Sequence, residues 1–87
     1  MHYVYILYSK KLRKFYIGLT DNLKKRILEH NNGESSFTSR GGCWELVYYE
    51  AFSIKSDAVR EERFLKTGQG RERRKYLLKS CLEDLKK

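Results

Sequence analysis

Eighty-seven residues with 40% apolar content, seven Tyr, four Phe and one Trp fit one small packed domain and exclude a disordered tail. Nineteen Lys and Arg against eleven Asp and Glu leave a net charge of +8, a field that a phosphate backbone would answer, or a solvated surface of scattered Lys. No apolar run reaches the ~18–20 residues needed to cross a bilayer, and no secretory leader opens the chain, so a cytoplasmic protein without membrane contacts is expected. Cys43 and Cys81 lack CxxC or Cys/His spacing, which argues against structural zinc and a disulfide framework.

From His2 to Tyr8 nearly every residue is aromatic or β-branched, the pattern of a strand buried on both faces. Ser9–Lys14 reads as a basic turn and Phe15–Leu19 as the returning strand of a hairpin. Thr20-Asp21-Asn22 offers capping chemistry for a helix to about His30, and Asn31-Asn32-Gly33 stops it. A polar loop, Glu34 to Gly42, leads to a third strand over Trp44–Phe52. Ser56-Asp57 is expected to cap a second helix reaching about Lys66. Gly68-Gln69-Gly70 then reads as a break, and Arg71 to about Leu85 as a last, very basic helix. The order ββαβαα predicts an α/β (α+β) sandwich, a three-stranded sheet flanked by helices, in one domain spanning 1–87.

Helical spacing sorts the polar candidates. Leu23, Ile27 and His30 share one stripe of the first helix, with Arg26 at its margin. Each of Arg26 and His30 is either a buried partner or a site residue. In the second helix Glu62 falls between Ala58, Val59 and Leu65, where a carboxylate is costly unless paired. Lys66, Arg26 or a metal ion could pair with it. Most tyrosines fill core volume, but Tyr5 and Tyr16 can meet across the hairpin.

Tyr3-Val4-Tyr5, Tyr16-Ile17-Gly18-Leu19-Thr20 with Asn22-Leu23, then Arg26, His30, and Ala58 with Glu62, resemble the GIY-YIG nuclease superfamily. Its small stand-alone bacterial members, related to the N-terminal nuclease domain of a bacterial repair excinuclease, are most similar. Phe37-Thr38-Ser39-Arg40 and Trp44–Glu50 fit the small-member version too. The resemblance implies a metal-dependent DNA endonuclease leaving a 3′-hydroxyl and a 5′-phosphate, structure-directed and of low sequence specificity, in repair or recombination. By the same resemblance Tyr5, Tyr16, Arg26, His30 and Glu62 are its catalytic residues, and Tyr5 is favoured over Tyr16 for activating water. Glu62 is also the ligand of a divalent ion, Mg²⁺ before Mn²⁺. Branched, flapped or damaged duplex DNA is the implied partner, with a targeting protein as a further one. Without a fused binding domain, DNA would meet Lys10, Lys11, Arg13, Lys14, Arg40, Lys66, Arg71, Arg73, Arg74 and Lys75. Tyr3 stands where the first motif opens with Gly, and Arg71–Lys87 lacks the Asn of many members. A binding module that keeps the fold and has lost turnover is the alternative.

Overall fold

The computed structural model describes residues 1–34 and 38–85. Phe37 and part of the expected polar loop therefore lie outside the described residues, as do Lys86 and Lys87. The elements are β1 (His2–Ser9), β2 (Lys14–Thr20), α1 (Leu23–Asn31), a 3₁₀ turn (Thr38–Arg40), β3 (Trp44–Phe52), α2 (Lys55–Leu65), α3 (Gly68–Leu77) and α4 (Lys79–Leu85). The strands form one antiparallel sheet in the order β2-β1-β3, so the expected α+β sandwich is present.

Central β1 is buried from Val4 through Ser9, as its doubly apolar sequence requires. Side chains alternate across a strand, so the register divides them between two faces. Tyr3, Tyr5 and Leu7 pair with Thr20, Gly18 and Tyr16. On that face Tyr5, Leu7 and Trp44 cluster with Leu12, Tyr16, and Leu23 and Ile27 of α1. Val4, Ile6 and Tyr8 pair with Leu19, Ile17 and Phe15 on the reverse. There Val4, Ile6 and Ile17 pack with Ala58 and Leu65 of α2 and with Leu78. One face is therefore covered by α1 and the other by the C-terminal helices.

The hairpin closes between Ser9 and Lys14. Arg13, the last residue of its turn, has φ +53°, a left-handed conformation that costs a non-glycine residue about 1 kcal/mol. The buried Ser9 hydroxyl accepts from the Leu12 N–H (3.1 Å) and donates to the Gly41 carbonyl (2.6 Å). That pair of bonds ties the turn to the loop before β3.

At the start of α1, Asn22 Oδ1 accepts the Lys25 N–H at 3.2 Å. Beyond its end, Gly33 takes φ +76°. Three expectations need correction. Ser56-Asp57 does not cap α2, which begins at Lys55 after Ile54 with no side-chain cap. Asp57 sits inside the first turn, where a negative charge suits the helix dipole, and its carboxylate takes Arg60 at 3.0 Å. Nor does Gly68-Gln69-Gly70 interrupt the helices. It forms the first turn of α3, whose N-cap Thr67 accepts the Gly70 N–H at 3.1 Å. A Cβ on Gly70 would collide with the Phe64 carbonyl oxygen, so glycine is needed where α3 leaves α2. The expected last helix is also two helices, divided at buried Leu78. The Leu78 N–H still reaches the Arg74 carbonyl (2.9 Å), and its own carbonyl accepts from Leu82 (2.8 Å). The bend keeps Leu77, Leu78, Cys81 and Leu82 turned toward the core.

Candidate active site on the α1 face

Cross-strand pairing sets Tyr5 opposite Gly18, and the hydroxyl end of the phenol packs against that glycine. A Cβ on Gly18 would collide with the Tyr5 hydroxyl oxygen and the ring carbon that bears it. The bare backbone of β2 thus makes room for the ring and aims its hydroxyl past the strand toward α1. There it meets His30 Nε2 at 2.8 Å, while His30 Nδ1 lies 2.7 Å from Thr38 Oγ1.

His30 is 1% exposed, so the stripe carries it inside as spacing implied. Burial, and next the Arg26 charge, hold its pKa below the usual 6.5, which leaves a neutral ring at pH 7. Burial pushes the Tyr5 phenol up to about 12, against the opposing pull of Arg26. Tyr5 is therefore protonated, and the neutral ring is held at both nitrogens, Nε2 by the Tyr5 hydroxyl and Nδ1 by that of Thr38. Thr38 is itself pinned, because its carbonyl accepts the Trp44 indole N–H at 2.8 Å. The Asn31 side chain holds the start of β3 as well, accepting the Trp44 N–H at 2.7 Å.

Arg26 completes the cluster. Burial opposes its charge, but contacts with the Tyr5 phenol and then the Tyr16 phenol keep the guanidinium charged. Glu29 sits 3.6 Å from it on the same helix. The Tyr16 ring stands 4.8 Å from the His30 ring and 6.3 Å from that of Tyr5. The two phenols differ in access: Tyr5 is 1% exposed, whereas Tyr16 is half-buried. Four of the five expected catalytic groups, Tyr5, Tyr16, Arg26 and His30, thus gather on one face.

Glu62 is the fifth expected group. It projects from α2, whose Ala58 and Leu65 pack on the opposite face, and its carboxylate meets Lys66 at 2.5 Å. The pairing with Lys66, rather than with Arg26, is the one the fold makes. Among the described residues no group of three or more His, Cys, Asp or Glu could cage a metal ion.

The basic residues separate by place. Lys10 meets Glu45 at 3.5 Å and Lys75 meets Glu72 at 3.4 Å, both at the surface. Lys11 and Arg40 are exposed near the hairpin turn and the 3₁₀ turn. Arg13, Lys14, Arg71, Arg74 and Lys75 border one groove on the α2 side. Arg73, expected to face nucleic acid, is instead taken up by acids. It bonds Glu61 Oε2 at 2.8 and 3.2 Å and lies 3.6 Å from Glu50. Burial, and then the neighbouring Glu61, push Glu50 up to about 7, and its Oε1 is buried without a hydrogen-bond partner among the described residues. Burial acts upward on Glu61 as well, but Arg73 outweighs it and holds that carboxyl below its usual value. Sequence reasoning missed this trio, since it joins β3, α2 and α3 with no local spacing to announce it.

Residues 1–76 match the model of the GIY-YIG catalytic domain. The UPF0213 protein CPE1444 of Clostridium perfringens is 46% identical over 67 residues, covering 76% of this chain and 71% of that protein. A UPF0213 protein of Limosilactobacillus reuteri is 32% identical, covering 98% of this chain and 91% of its own. Among solved structures, the solution NMR structure of the UPF0213 protein BH0048 from Bacillus halodurans is similar with a TM-score of 0.55 and 35% identity. It covers 87% of this chain and 83% of its own.

Proposed function

Because the chain belongs to the GIY-YIG family of nuclease catalytic domains, we propose that it is a metal-dependent DNA endonuclease working from the α1 face. The observation that carries this reading is the convergence of two phenols, a guanidinium and a neutral imidazole on one side of a hairpin. Substrate would be branched, flapped or damaged duplex DNA, cut with low sequence specificity during repair or recombination in the cytoplasm. Residues 1–87 would act as one domain, with a targeting protein as a further partner.

The donor set fits Mg²⁺. Glu62 supplies one hard oxygen ligand, partly exposed, and its partner Lys66 is a half-exposed side chain that can swing aside. Mg²⁺ is commonly held by one or two carboxylates with several waters retained. When bound at Glu62, such an ion would supply Lewis acidity toward a phosphate oxygen. Edge strand β2 is bordered by α1-face groups on one side and by α2 on the other, so DNA along this rim would meet both sets.

Arg26 binds the scissile phosphate, because its planar fork matches two nonbridging oxygens and its charge opposes the charge that builds on phosphorus. We place Tyr16 nearest the attacking water, since Tyr5 is too buried to meet solvent. Tyr5 is the inner member: it orients His30 through the 2.8 Å bond and holds the neutral imidazole against the phenols. His30, uncharged at pH 7, is the group able to accept a proton passed inward through the phenols.

Nicking of supercoiled plasmid and cutting of flapped oligonucleotides in Mg²⁺ test the reading. Arg26→Ala and Glu62→Gln are each expected to slow cleavage by about 100-fold or more with unchanged circular dichroism. The binding-only reading draws on the Glu62–Lys66 pair and on the absence of Asn from Arg71–Lys87. It wins if wild-type protein, free of host nucleases, binds DNA in a salt-sensitive way and leaves every substrate intact in Mg²⁺ and Mn²⁺.

A further inference from the structure

On the side of the sheet away from the phenols, the hairpin turn and helices α3 and α4 enclose a groove of about 420 Å³. Its floor is apolar, made by Phe15, Leu78 and Leu82. Arg13, Lys14, Arg71, Arg74 and Lys75 form its rim. Among the described residues, Arg13, Lys14, Arg71 and Arg74 take part in no ion pair, unlike Arg73 beside them. Their charges are therefore free to meet a polyanion that enters the groove.

Arg13 supplies an independent argument. It occupies the turn position with φ +53°, where glycine would be the relaxed choice. The strained residue carries a guanidinium that lines the groove. The turn thus keeps a charge at the groove's rim at some cost in backbone strain.

We propose that this groove is a second nucleic-acid contact, shaped for single-stranded DNA, on the opposite face of the sheet from Tyr5, Tyr16, Arg26 and His30. A duplex presents mainly phosphates and gains nothing from a sunken apolar floor. A single strand offers phosphates to the rim and unstacked bases to Phe15 and Leu82. Choosing DNA as the polyanion rests on the nuclease reading; the charge, floor and strain of the groove do not. A flap or unpaired tail held here would leave the adjoining duplex free to run along β2.

The test is fluorescence anisotropy on the full chain in EDTA, where cleavage plays no part. The probes are an oligothymidylate of about 12 nucleotides, a duplex of the same length and a polyglutamate peptide. Arg71→Glu combined with Arg74→Glu is expected to weaken oligothymidylate binding about tenfold, and to flatten its salt dependence by about 0.7 log unit for each phosphate no longer neutralised. Arg13→Gly should weaken binding several-fold while the melting temperature holds or rises, a pairing that damage to the fold cannot produce. Oligothymidylate binding unchanged in both variants would overturn the proposal. So would equal losses for duplex and single strand, or polyglutamate binding more tightly than oligothymidylate. Failure of the nuclease reading shows up elsewhere, as wild-type protein that never cuts in Mg²⁺.

Discussion

The two faces of this sheet are built from the same strands and do opposite things. On the α1 face, burial is spent on polar atoms: a phenol, an imidazole and a threonine hydroxyl linked in series, with a guanidinium alongside. On the α2 face, Val4, Ile6, Ile17, Ala58, Leu65 and Leu78 form an aliphatic cluster, with an acid–arginine trio at its border. Neighbouring residues of β1 go to opposite sides, Tyr5 into the hydrogen-bonded network and Ile6 into the aliphatic cluster. A chain this short can place a polar network inside because the reverse of the same sheet holds it together.

That contrast can be broken most forcefully at Leu65, which is fully buried. Leu65→Ala should cost about 2–5 kcal/mol, a large share of the ~5–15 kcal/mol available to a domain, and urea melts would read the loss. Arg26→Ala does the reverse, with cleavage down about 100-fold and a urea midpoint close to wild type. Gly18→Ala crosses the divide: the added methyl must push the Tyr5 ring aside. We expect a stability loss of about 1–3 kcal/mol together with about 100-fold slower cutting.

The pH dependence of stability sharpens the comparison, because the faces pull in opposite directions. His30 has a depressed pKa, so the unfolded chain binds the extra proton once pH falls below about 6.5. Stability from the α1 face is therefore present at neutral pH and lost on acidification through that range. Glu50 is raised from 4.5 to about 7, so its favourable contribution is complete below 4.5 and disappears as pH rises through 7. Glu50→Gln should raise stability at pH 8 by about 1 kcal/mol and leave the acid side almost unchanged. His30→Gln should flatten the acid limb instead; urea midpoints from pH 4 to 9 separate the two.

The hairpin, α1 and β3 were legible because their signals are local: β-prone runs divided by a basic turn, an Asn cap, and an Asn-Asn-Gly stop. The inward setting of His30 followed from helical spacing. Which face each strand residue takes was hidden, since β1 is apolar on both sides and its period of two carries no contrast. The bend at Leu78 had no Gly or Pro to mark it; it arises from anchoring two successive helices to one core. Gly70 was misread because its purpose is close approach to the Phe64 carbonyl rather than flexibility. In the candidate site, spacing singled out Glu62 and left Lys66 as one of its possible partners. Thr38, the support behind His30, lay in the tract Phe37-Thr38-Ser39-Arg40 that resembles the family, but nothing in the sequence marked its bond to the imidazole.

The fit of the Tyr5 ring upon Gly18 makes two distant codons a single unit of inheritance. The second cannot drift alone, for any side chain there evicts the first. In a library randomised at both, survivors bearing a bulkier residue at 18 should come almost wholly from members that have also shrunk residue 5, and those survivors would be folded but chemically silent.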